Sequence, residues 1–176
     1  MKSRGEDGKM KELALIKLGE RLALDVEGIQ TVKLACENPK QYFKTFKHQL
    51  EERSITKISN DLPLIALVDE LIEKELAHEI DWKESIATIC EVVDRLVSKK
   101  KLLTLVWAEL NAKYSELYAE EALVALALEL QEKEISLAHL DIDSDSYVLI
   151  TVRKDEIEEL KGLAQQAGFT ILDEFV

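Results

Sequence analysis

Between Gln131 and Ile135 the spacing of apolar residues changes, and this limits the folds open to the chain more than any other feature. Upstream, apolar residues recur every three or four positions in segment after segment, the period of one helix face. From Ile135 the pattern shortens and becomes β-branched: residues 135–142 and 147–152 read as strands, with "DSDS" between them as turn chemistry, because Asp and Ser side chains hydrogen-bond nearby backbone. Asp155 with Glu158 reads as a helix start, Ile157, Leu160, Ala164 and Ala167 face inward, Gly168 ends the helix, and "FTILDEFV" is a final strand. Only six Gly and two Pro argue against a loop-rich chain. The expectation is α+β: an N-terminal helical layer packed on one face of a small C-terminal sheet, helices first and then β-β-α-β. The last two strands should form a right-handed crossover if they are parallel in one sheet.

The helical part divides as follows. Residues 1–9 have no apolar period and read as a frayed tail; a first helix runs from Met10 to near Gly28. Pro39 opens a second helix, in which Tyr42, Phe43, Phe46 and Leu50 face inward and Lys40, Lys44 and Lys47 cluster on the other side. A third starts at Asp61 and ends near His78. In the next, Asp81 caps, Glu84 reaches back, and Trp82 opens a buried stripe with Ile86, Ile89, Cys90, Val93, Leu96 and Val97. An apolar segment at Leu102–Leu110 follows, and then a stripe of mostly small residues, Ala119, Ala122, Leu123, Leu126, Ala127 and Leu130, that lets a neighbour come close. Residues 10–60 are thus a helical extension, forming one compact unit with an α+β domain at 61–176.

The formal charge of −12 repels phosphate backbones, which counts against nucleic acid as a partner. Residues 1–60 carry 12 basic and 9 acidic side chains, leaving 11 basic and 26 acidic in 61–176, so the acidity belongs to the C-terminal two thirds. Such a surface keeps a protein soluble and can complement a basic protein partner. No stretch approaches the roughly 18 to 20 apolar residues of a membrane span, and the N-terminus lacks the apolar core of a signal peptide. Cys36 and Cys90 lie far apart with no CxxC or zinc spacing, as free thiols would. A cytoplasmic protein without a cofactor is expected.

"DIDSDS", residues 141–146, matches the opening of a calcium loop, with Asp141, Asp143 and Asp145 as candidate metal ligands. The match then fails, because Ser146 stands where Gly is needed, Val152 where a bidentate Glu is needed, and the flanks read as strands. A turn is the expected structure. His139 alternates with Asp141 along one strand face, so an acid–base pair is geometrically possible, although a solvated strand face is the simpler account. His48 and His78 fall on and at the end of helices. There is no HExxH, GxSxG, phosphate-binding glycine loop or dinucleotide fingerprint, so an enzyme is unsupported.

"EIDWKE" together with "LDIDSDSYVLITV" resembles an uncharacterised bacterial family, a domain of unknown function with a D-W-K segment and a C-terminal S-D-S-Y motif. The resemblance covers about residues 60–176. It implies an intracellular α+β domain with no assigned activity, and it places Asp81, Trp82, Ser144, Asp145 and Tyr147 in the family's motifs without giving them roles. Three functional readings follow. The first is a non-enzymatic interaction protein, of the acidic inhibitor or immunity type, that meets a basic partner. The second is a metal-dependent or acid–base enzyme built on Asp141, Asp143, Asp145 and His139, and the third is a domain that self-associates through an apolar helix face.

Overall fold

The computed structural model of the chain describes residues 4–102 and 107–175. Five helices come first: α1 (Arg4–Arg21), α2 (Val26–Glu37), α3 (Pro39–Thr45), α4 (Lys47–Glu52) and α5 (Leu62–Glu73). Strand β1 (His78–Asp81) interrupts them before α6 (Ile86–Lys99), α7 (Trp107–Tyr114) and α8 (Ala119–Gln131). The chain closes with β2 (Ile135–Asp141), β3 (Ser146–Arg153), α9 (Ile157–Ala167) and β4 (Thr170–Leu172). The fold is α+β, with the β-β-α-β ending in place.

Several local expectations change. Arg4–Lys9 belong to α1. That helix stops at Arg21, where Ala23 takes a left-handed φ of 70° and the Leu24 N–H returns to the Gly19 carbonyl; Gly28 lies inside α2, whose cap is Asp25, accepting from Gly28 N at 2.9 Å. The expected helix from Pro39 is broken at Phe46. The third helix ends at Glu73, not near His78, because Glu75 (φ 58°) reverses the chain and Leu76 and Ala77 both donate to the Leu71 carbonyl. The cap position of α9 is Glu156 and not Asp155, and no side chain caps the helix. Residues 103–106 of the expected Leu102–Leu110 segment lie outside the described residues.

The strand order is β1-β3-β2-β4, and every neighbouring pair is antiparallel. β3 and β4 therefore run parallel with β2 between them. Alternation along the strands sends side chains to two faces. Ala138, Leu140, Val148, Ile150, Val152 and Ile171 pack with α1, α2, α5 and α9; Ile80, Ile135, Leu137 and Leu149 pack with α6, α7 and α8. Helices cover both sheet faces, where sequence periodicity suggested one. The reason is visible in β2 and β3, whose inward and outward positions are both apolar, so neither face can be left in water. A smaller cluster of Tyr42, Leu50, Leu62, Ile65 and Ala66 joins α3, α4 and α5. Among the described residues no helix is long and apolar enough to cross a membrane.

One cation sits in the packed layer below β3. Lys100, just past α6, donates to the Thr151 carbonyl at 2.7 Å, and burial pushes its ammonium down to about 8, opposed only by Glu156. A lysine held below its ordinary range binds fewer protons folded than unfolded, so stability rises with pH between the folded and unfolded values. From pH 8 to about 10.5 the native protein should gain about 2 kcal/mol relative to Lys100→Met, followed by urea denaturation. Parallel pH curves for the two proteins would show that Lys100 is solvated.

Candidate functional site

The two motif stretches meet across the β1–β3 ladder, where Asp81 pairs with Ser146 and Ile80 with Tyr147. Trp82 follows directly. The expectation that it opens the helical core stripe is overturned: Trp82 is 49% exposed. Because residues 78–81 are drawn into the sheet, Asp81 does not cap a helix but accepts from Lys83 N at 2.8 Å in a turn. The cap of α6 is Ser85, accepting from Thr88 N at 3.2 Å, so the stripe begins at Ile86 and Trp82 is left outside it.

The β2–β3 connection is the expected turn. Asp143 adopts a left-handed φ of 56°, its N–H bonds the Asp141 carboxylate at 3.0 Å, and Ser146 N bonds Ser144 Oγ at 3.2 Å. Those side chains are engaged in shaping the hairpin. Among the described residues no group of three or more His, Cys, Asp or Glu side chains is placed to hold a metal ion. The four residues of the enzyme reading do not converge, since Asp141, Asp145 and His139 line one pocket and Asp143 lines another. His139 is not on a solvated face. It is 8% exposed, edge-on to Tyr147 at 5.0 Å and tilted against Phe175 at 5.2 Å, and burial holds its imidazole below its ordinary value despite a hydrogen bond to the Glu174 backbone.

The pocket that unites the motif residues measures about 350 Å³ and is lined by Trp82, Glu120, Asp141, Ser144, Asp145 and Tyr147 over His139. Burial and the Glu120 carboxylate push the Tyr147 phenol up, so the ring stays neutral. Next to it, sharing Trp82 and Glu120, lies a groove of about 670 Å³ walled by Ile86, Leu117, Tyr118 and Glu121. Tyr118 is 83% exposed and Lys83 Nζ rests 4.5 Å from the centre of the Trp82 ring. Together they form an aromatic surface rimmed by carboxylates. Tyr118 and Glu120 were not found from sequence. The available signal was a tyrosine in the cap position of α8, where Ser or Asp is usual, with Glu121 accepting its backbone N–H at 2.9 Å.

A second constellation escaped sequence reasoning altogether. Arg53, with its side chain 21% exposed, bonds Asp69 at 2.7 Å and Glu79 at 2.9 Å; Ser146 Oγ then donates to Glu79 at 2.6 Å. It ties α4, α5 and β1 to the hairpin. Cys36 is half-buried and Cys90 buried, and both are free thiols held above their ordinary value by burial.

The family model of a domain of unknown function (DUF6630) matches residues 14–175. The match extends through nearly the whole chain, α2–α5 included, whereas the resemblance read from sequence covers only about residues 60–176. No curated protein and no solved structure matches it.

Proposed function

The chain belongs to this family of unknown function, and from that premise we propose that it is a non-enzymatic protein-interaction domain, acting as an acidic inhibitor of a basic partner. The observation that carries this reading is Trp82, half exposed where an apolar groove meets a pocket of carboxylates. Tryptophan and tyrosine dominate binding energy at interfaces when a partner covers them. An arginine or lysine of the partner, stacked on Trp82 in the place that Lys83 now holds, would find Glu120, Asp141 and Asp145 within the same pocket. The excess of acidic residues in 61–176 would steer such a partner toward this end of the molecule.

Affinity capture with the purified chain, with Trp82→Ala and with Glu120→Lys tests the reading. Wild type should retain a protein of high isoelectric point that 0.5 M salt weakens, and both variants should lose it. Because Trp82 stands outside the core, Trp82→Ala should cost less than about 1 kcal/mol of stability, so lost binding cannot be blamed on unfolding. Equal retention by all three proteins would overturn the proposal.

A further inference from the structure

We propose that the cleft between α2–α5, β1 and the β2–β3 turn is a binding site for a linear polyamine. It measures about 810 Å³, the largest of the clefts described, and meets the Trp82 pocket only at Ser144. Its lining carries six carboxylates, Glu52, Asp69, Glu70, Glu73, Glu79 and Asp143, against the single cation Arg53. Arg53 is committed to Asp69 and Glu79. Glu70 is buried, which raises its carboxyl above its ordinary value, and Lys74 is turned to Asp25 at 3.3 Å. Negative charge is therefore left over at the wall of the cleft, in a medium where an opposite charge is felt strongly.

Tyr42 points to a ligand independently of that charge. It lines the cleft at 1% exposure, stacked on Phe46 with ring centres 4.7 Å apart, and its hydroxyl has no hydrogen-bond partner among the described residues, although Asp69, Glu70 and Arg53 all act on it electrostatically. The hydroxyl is free to take a partner from within the cleft that Tyr42 lines. An ammonium N–H donated to it would supply the missing partner.

The class of cation follows from the rest of the lining. Ile55, Ile65, Ile72 and Ile142 line the cleft together with the carboxylates, so the wall is neither purely polar nor purely apolar. A bare metal ion would leave those isoleucines without a role and lacks a cluster of ligating side chains among the described residues. A chain of methylenes with ammonium groups at intervals uses both kinds of surface.

The test is thermal unfolding and calorimetric titration of the full chain with spermidine, compared with sodium chloride of matched ionic strength. Spermidine at millimolar concentration should raise Tm by several degrees beyond the salt control. Half-saturation should move at least tenfold in Glu70→Gln and about threefold in Tyr42→Phe, and should stay put in Glu91→Gln, which removes the same charge from the exposed face of α6. Tyr42→Phe keeps the ring packing, so it decides the matter should Glu70→Gln fail to fold. Trp82→Ala should respond as wild type, which separates this site from the protein-binding face. A response equal to that of salt, or equal weakening in Glu91→Gln, would reduce the effect to screening of net charge and overturn the proposal. So would tighter binding of a pentalysine peptide than of spermidine, which would assign the cleft to a protein.

Discussion

Leu71→Ala is expected to lower the free energy of unfolding by about 3–4 kcal/mol. Leu71 is fully buried in α5, in the cluster that holds α1, α2 and α9 against the sheet. The cost of such a truncation depends on how far the surroundings can close over the space left behind. Here they close little. The Leu71 carbonyl receives both Leu76 N, at 2.8 Å, and Ala77 N, at 3.1 Å, so the backbone is fixed by the turn that feeds β1. Urea denaturation should show a lower midpoint with an unchanged slope. Leu13→Ala on the outer side of α1, at an exposed position, should stay within about 0.5 kcal/mol. A loss below about 1 kcal/mol at Leu71 would mean that α5 is not part of the central core.

Arg53→Met is expected to cost about 2–3 kcal/mol at pH 8, less than the full penalty of breaking a deeply buried pair because Asp69 and Glu79 keep 29% and 30% of their side-chain surface. The pH dependence identifies the cause. Burial already holds the Asp69 carboxyl above its ordinary value, with Arg53 opposing that shift. Without Arg53 it rises further. A carboxyl whose folded value is raised favours the folded state when protonated and loses that advantage as pH rises through the folded value. The deficit of Arg53→Met should therefore shrink as pH is lowered from 8 toward about 5, measured by denaturant midpoints of both proteins. Adding Asp69→Leu to Arg53→Met should recover part of the loss at pH 8, since it removes one of the stranded charges. A deficit independent of pH would assign the effect to lost packing of the arginine stem instead.

What the sequence disclosed depended on range. The α8 stripe, the β2–β3 hairpin, and the Gly168 stop of α9, where φ is 96° and the N–H returns to Ala164 at 2.9 Å, are each written in one short continuous stretch of chain, and periodicity finds them. Strand β1 was lost because "HEID" has only four residues and follows an apolar helix without a break in composition. Once that strand is missed, Trp82 is assigned to the wrong side of a helix start. The second helical layer was equally invisible, since an apolar strand does not say whether it is covered once or twice. The Arg53 cluster draws on partners 16 and 26 residues away, and the largest cleft on five helices or strands and a turn, so their charges look like ordinary surface residues until the chain is folded. The hairpin residues lie in the turn that their Asp and Ser content indicates, where the Asp141 carboxylate and the Ser144 hydroxyl serve its backbone.

The strand order has a further consequence for how the sheet can meet another chain. The two shortest strands, four residues in β1 and three in β4, stand at the two edges of the sheet. Edges so short offer few free backbone donors and acceptors, and β1 ends in Asp81 beside Glu79, charges that resist a neighbouring strand. A fifth strand added from another chain would gain only one or two pairs of hydrogen bonds, too little to fix its register. Strand addition and fibril growth from these edges are thereby disfavoured in the native state, and contact with another chain is left to side chains, each of which can be exchanged without redrawing the sheet.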